Sequence, residues 1–263
     1  MTGYFGTEHQ QALQRRTHEN RHVIAATPGL YNAGRFVGVD DPDQLGWDTM
    51  RAMLERDGLV GLRMISPQQA ARHFALFETA GCRIDTWDIF VGKPGDAGSM
   101  AQAISAASLP AGIAIQRPLM GAESADTRSV QKFLAANWLA PFPGAMLVDQ
   151  PRARTIVLED ENGAITATGH TYFPHNAHSP FSAHAWIGLI AVAPAWRGRG
   201  LGRLVVALLV HAAFAGLGAR RVYAMVAPTN EASRRMVEGC GLHFAPDLRG
   251  GVAMPVDAAR FTR

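Results

Sequence analysis

Twelve residues, Val192-Ala-Pro-Ala-Trp-Arg-Gly-Arg-Gly-Leu-Gly-Arg203, constrain this chain more than any others. A β-prone run, His184–Val192, leads in, and a nearly all-apolar run, Leu201–Gly216, leads out. The first pattern predicts a strand, the second a helix that must be covered on most sides. Between them, Gly198, Gly200 and Gly202 allow a tight turn and close approach of a ligand to the backbone. The first amides of a helix lack internal acceptors, and the helix dipole favours anions there. Arg197, Arg199 and Arg203 can add charge-assisted hydrogen bonds. The segment is therefore predicted to hold a pyrophosphate.

The same pattern reading extends along the chain. Trp47–Arg56 predicts a short helix, Leu59–Ile65 a strand, and Arg83–Val91 another strand. Ser66-Pro67-Gln68-Gln69 has the cap, first-turn proline and capping-box glutamine of a helix start. Residues 8–22 read as a polar helix, followed by a Gly-, Pro- and Asp-rich loop to about Gly46. Asp96–Ser108 and Asp126–Leu139 read as helices, with a strand at Gly112–Gln116 between them. Asp160-Glu-Asn-Gly163 lies between two β-prone runs, a strong hairpin signal. Strands are expected at His184–Val192, Arg221–Val226 and Gly251–Val256, and a capped helix at Asn230–Glu238. This order implies an α/β fold with a mixed sheet and helices on its faces. The expected division is residues 1–109 and residues 110–263.

The glycine spacing narrows the ligand. It lacks the third glycine of the dinucleotide fingerprint and the Gly-Lys-Ser/Thr of a nucleotide P-loop. It has instead Arg-x-x-Gly-x-Gly preceded by Val-x-Pro. This resembles the acetyl-CoA signature of the GNAT superfamily of N-acetyltransferases. Asn230-Glu-Ala-Ser-Arg-Arg-Met-Val-Glu-Gly-Cys-Gly-Leu242 resembles that family's second motif. The resemblance covers roughly residues 110–263 and implies a GNAT-like acyl-CoA transferase fold with acetyl-CoA as cosubstrate. It implies that Ile190, Ala191 and Val192 contact the pantetheine and acetyl group. Arg197, Gly198, Arg199, Gly200, Leu201, Gly202 and Arg203 would hold the pyrophosphate. Asn230 and Ser233 would approach from the other side.

Two positions depart from the family pattern. Many members carry a Tyr seven residues after the Asn, where it can protonate the leaving thiolate; here Val237 stands there. Ser233, a water or unaided departure are the options that remain. Many carry a basic Glu eleven residues before the first Arg; here that residue is Trp186, which is expected to pack or shape the acceptor pocket. His184 shares a strand face with Trp186 and titrates near neutrality, so it is a candidate base; a surface histidine is the alternative.

His170, His175, His178 and His184 cluster between two strands, without a nearby Cys and with no Asp or Glu in the loop. Solvated loop histidines are expected there, and no metal. The N-terminal region has no second glycine-arginine turn. Gln68–Cys82 echoes the second family motif, so residues 1–109 read either as a degenerate GNAT repeat or as an ordinary amphipathic helix and its neighbours. Trp47, Phe74, Phe77 and Trp87 are expected in the core.

The formal charge is +3, from 25 basic and 22 acidic side chains, with no basic-aromatic patch. That argues against nucleic acid as partner. The polar opening predicts no secretory leader, and no apolar run reaches membrane-spanning length, so a cytoplasmic protein is expected. Cys82 and Cys240 read as reduced thiols. The leading functional reading is acetyl transfer to a primary amine of a small molecule. The alternative is a non-catalytic acyl-CoA-binding or regulatory module with the same fold. Homodimerisation stays open.

Overall fold

The computed structural model describes residues 2–106, 109–148 and 151–258. Helices α1 (Glu8–Glu19) and α2 (Arg21–Ala26) precede a short hairpin, β1 (Leu30–Asn32) and β2 (Val37–Val39). Then come α3 (Pro42–Leu45), α4 (Trp47–Asp57), β3 (Val60–Ile65), α5 (Pro67–Thr79) and β4 (Cys82–Gly92). The middle of the chain holds α6 (Ser99–Ala106), β5 (Ile113–Ile115), α7 (Ala125–Ala136) and α8 (Gly144–Leu147). It continues as β6 (Ala153–Asp160), β7 (Ile165–Tyr172), β8 (His184–Val192) and α9 (Leu201–His211). Strand β9 (Arg221–Val226), α10 (Glu231–Glu238) and β10 (His243–Pro255) complete it.

Local chemistry explains most boundaries. Ser66 Oγ accepts from the Gln69 amide at 3.1 Å while Gln69 Oε1 accepts from the Ser66 amide at 3.0 Å, so the capping box that opens α5 closes in both directions. Asp160 accepts from the amides of Asn162 and Ala164, each at 2.9 Å, and Gly163 takes φ 75° to close the β6–β7 hairpin.

Three expectations need correction. The Gly-, Pro- and Asp-rich segment before Gly46 contains β1, β2 and α3; strands of three residues are too short to display a period. The final strand begins at His243, because a bulge between Phe244 and Arg249 interrupts its alternation. The helix expected from Asp96 begins at Ser99 after a wide turn over Pro94–Gly98, and its expected last residues, 107–108, lie outside the described residues.

One ten-stranded sheet runs in the order β1-β2-β3-β10-β4-β9-β8-β7-β6-β5. Only β2/β3 and β8/β9 pair in parallel; the other neighbours are antiparallel. Strands from the two ends of the chain alternate at its centre. The C-terminal half of β10 lies between β3 and β4, and β4 pairs with β9 from Asp88↔Val226 to Gly92↔Val222.

Two strands carry a matching defect. Leu189 in β8 has φ 53°, and Met64 in β3 has φ 59°. In β8, Ala185 and Ile187 face the α9 side while Trp186 faces the opposite layer. After the bulge the alternation is reversed: Leu189 and Ala191 join Trp186, while Ile190 and Val192 pack on the α9 side. One inserted residue has this effect because side chains alternate with period two. In β3, Val60 and Leu62 share a core with Ile65, whereas Met64 packs into the layer that holds Trp186 and Tyr223. Each bulged strand leads to a helix and then to another strand: β3–α5–β4 and β8–α9–β9.

Candidate active site

Strands β8 and β9 pair only from His184↔Arg221 to Ile187↔Ala224. Beyond Ile187 they part, while β7 resumes pairing with β8 at Thr168↔Ala191. Leu189 and Ile190 therefore have no strand partner on either side. The split leaves an open slot, and a cavity of about 250 Å³ runs through it. Ile187 to Ile190, Met225 and Val226 line the slot side, joined by Asn230, Ser233 and Val237 at α10. The far wall comes from the N-terminal elements and β10, and includes Arg35, Arg63, Asp85 and Trp87.

At the upper end of β8 the glycine-arginine turn is exposed. Gly198 and Gly200 take φ 77° and 81°, and a Cβ on either would meet nothing within 4 Å. Gly200 caps α9 without a side-chain hydrogen bond. The amides of Gly198 to Arg203 have no backbone acceptor among the described residues. The helix thus begins with unpaired donors facing open space, the requirement for an anion cradle. The arginines divide their work. Arg197 Nε donates to Val192 O at 3.2 Å and its Nη2 to Asn137 Oδ1 at 3.2 Å, while Arg203 Nε donates to Gly239 O at 3.1 Å. Both side chains brace the turn against neighbouring elements. Arg199 lies over the Trp196 ring, 4.8 Å from its centre.

Among the remaining predicted site residues, Ile190 lines the slot, with Ala191 and Val192 following it on β8. Asn230 Oδ1 caps α10 by accepting from the Ser233 amide at 3.0 Å, which fixes both at the slot rim. His184 stands apart. It pairs with Arg221 at the closed end of β8, packs edge-on against Phe181, and does not line the cavity. Burial, helped by the Arg221 charge, holds it down to about 4.

Residues 124–242 match the acetyltransferase (GNAT) family. This part of the chain is a GNAT-family domain. The fold as a whole is similar to a GCN5-related N-acetyltransferase from Kribbella flavida, with TM-score 0.58 and 16% identity over 89% of this chain and 80% of that one. It is similar to a Drosophila protein, with TM-score 0.60 and 15% identity over 95% and 90% of the two chains. A tandem GNAT protein from the clavulanic acid biosynthesis pathway gives TM-score 0.54 and 16% identity over 82% and 74%. At these identities the likeness is one of fold, and it takes in the N-terminal region as well as the GNAT domain. No curated protein matches the chain.

Below the slot of this GNAT domain lies a buried polar chain that sequence reading missed. Arg63 Nη1 donates to Tyr223 Oη at 3.3 Å. Tyr223 Oη lies 2.9 Å from His175 Nε2, and His175 Nδ1 lies 2.6 Å from Asp40 Oδ2. Burial lowers His175 and raises Tyr223. A neutral imidazole then donates from Nδ1 to Asp40 and accepts the Tyr223 proton at Nε2. The expectation of solvated loop histidines is overturned for three of the four: His184 is half-buried in β8. His175 belongs to this chain, and His170 is fully buried, held down to about 3 by burial, with Nδ1 2.8 Å from Thr155 Oγ1. Trp87, expected in the core, lines the cavity instead. The available signal for the polar chain was Arg63, alone in the apolar run Val60-Gly-Leu-Arg-Met-Ile65. Among the described residues, no cluster of three His, Cys, Asp or Glu side chains is arranged to hold a metal, and no helix is long and apolar enough to cross a membrane.

Proposed function

We propose that this protein transfers the acetyl group of acetyl-CoA to a primary amine of a small molecule. One observation carries the reading: the slot between β8 and β9 opens at one end beneath unpaired helix amides and runs into a cavity walled by the N-terminal region. The amides from Gly198 to Arg203, including Leu201 and Gly202, bind the pyrophosphate, with Arg199 adding charge. Ile190, Ala191 and Val192 align the pantetheine arm, and Asn230 closes the other side. Bound acetyl-CoA supplies an activated acyl thioester.

The acceptor enters from the cavity side. Residues 110–263 form the transferase domain in this reading, and residues 1–109 shape the acceptor pocket. Among the described residues lining the cavity, Asp85 is the only carboxylate and no histidine is present. We assign Asp85 the role of proton acceptor from the amine, directly or through a water. Ser233, whose place on α10 puts its hydroxyl at the slot rim, returns a proton to the departing sulfur. His184 has no part in this scheme.

The test is thermal stabilisation by CoA and acetyl-CoA against NAD and ATP, followed by thiol release with a panel of amines. Stabilisation by the CoA compounds alone and amine-dependent thiol release are expected. Stabilisation without release from any amine would leave an acyl-CoA-binding module in place of an enzyme.

A further inference from the structure

Arg63 is a buried cation without a matching anion among the described residues. Its residue is 5% exposed, yet it lines the cavity. Among the described residues it makes no ion pair, and its hydrogen-bond partners are neutral hydroxyls, Tyr223 at 3.3 Å together with Tyr31 and Tyr172. Its Nε–H is buried with no partner. The rings of Tyr31, Trp186 and Tyr223 lie 4.8, 5.3 and 5.9 Å from its guanidinium carbon, so they support the charge through their faces without neutralising it.

The charges nearby do not resolve the imbalance. Asp40 is reached only through Tyr223 and His175 and is already bonded to His175. Asp85 shares the cavity, but the cation within ion-pair distance of it is Arg83, at 4.0 Å. Arg35, a second cation lining the same cavity, repels Arg63. A guanidinium cannot shed its proton to escape an apolar site, and an uncompensated buried charge is strongly destabilising. The rings and the Tyr223 hydroxyl hold the guanidinium in the cavity wall, and its Nε edge has no protein partner among the described residues. Such an edge matches a carboxylate.

We propose that Arg63 is the seat of a carboxylate carried by the acceptor, so that the acceptor is an amino acid or a similar amino-carboxylate. This rests on the transferase reading above. Trp186, one residue before the last paired position of β8, touches the Arg63 charge through its ring, so the seat lies beside the mouth of the slot. A carboxylate held there leaves the amine of the same small molecule facing the slot and Asp85.

Matched compounds decide the matter: amino acids against their methyl esters, amides and decarboxylated amines. Two readouts are needed, thermal stabilisation of the CoA-loaded protein and thiol release from acetyl-CoA. The free acids are expected to stabilise the wild type where the neutral partners do not, and to release thiol at least tenfold faster. In Arg63→Met that preference should vanish while stabilisation by CoA alone persists, which also shows that the variant folds. In Arg63→Lys the KM for acids should rise with kcat largely kept, because a point charge cannot reproduce the paired donors. Esters or amines equalling acids in the wild type would overturn the assignment even if both variants fail to fold. So would an unchanged acid preference in Arg63→Met. Failure of CoA to bind would instead sink the transferase reading, and acid binding without CoA would still report on Arg63.

Discussion

Met64 and Leu189 hold the same left-handed backbone, at φ 59° and 53°, in the strands that enter α5 and α9. The consequences differ because of what lies next to each. Beside Met64 the place after the bulge is filled by β10, which pairs with β3 from Arg249↔Ile65 to Ala253↔Val60. Beside Leu189 no strand enters, and the slot stays open. Chain from the C-terminus seals one site and leaves the other available. The N-terminal helix α5 also starts directly at Pro67, with no glycine turn before it. Among the described residues, only the C-terminal arrangement leaves its strand gap open.

This pair yields a first prediction. Valine is poorly tolerated at left-handed φ because of its branched Cβ, at a cost on the order of 1–2 kcal/mol. Leu189→Val should lower both the melting temperature and CoA affinity, since the strand straightens toward β9. Met64→Val should lower the melting temperature with CoA affinity retained. Differential scanning fluorimetry with and without CoA reads both, and equal loss of CoA binding in the two variants would contradict the division.

A second prediction concerns the cradle. Gly200 adopts φ 81° at the cap of α9, where a Cβ would meet nothing within 4 Å. Gly200→Glu adds backbone strain and a carboxylate that repels phosphate. Stabilisation by CoA should disappear while the variant remains folded by circular dichroism. An unchanged CoA affinity by calorimetry would remove the pyrophosphate assignment.

Asp85 gives a third. Asp85→Asn keeps shape and removes the base, so turnover should fall about a hundredfold, the low side of general-base contributions, with CoA binding unaffected. Steady-state kinetics with a productive amine measure this, and full activity would eliminate Asp85 from the proton path.

The buried histidines supply a fourth. Burial holds His170 down to about 3, and burial together with the Arg221 charge holds His184 down to about 4. Burial lowers His175 as well. In the unfolded chain the same groups take up protons near pH 6.5, so between these limits the unfolded state binds more of them. Their contribution is complete above about pH 6.5 and is lost as pH falls toward 3. Melting temperature should therefore decline over that window. His170→Asn, which can still donate to Thr155 Oγ1, should make the decline shallower. A slope equal to that of the wild type would show that His170 does not contribute.

The amino-acid sequence by itself determined the elements that depend on neighbours along the chain. The exact span of β8, the cap of α10 by Asn230, the capping box at Ser66 and the glycine turn all follow from local backbone chemistry. Those same residues predict an anion cradle, because tight turns and free helix amides are local properties, and the resemblance of their spacing to the GNAT motif implies coenzyme A as the anion. The acceptor side was not legible in that way. Arg63, Asp85, Trp87 and Tyr223 come from β3, β4 and β9, and Asp40 and His175 from loops far apart in sequence. Their meeting depends on β10 crossing back to part β3 from β4, a pairing of strands with no local signature. Only the tertiary structure could reveal Arg63 as a buried charge lacking an anion among the described residues, because burial and charge pairing are properties of the assembled sheet.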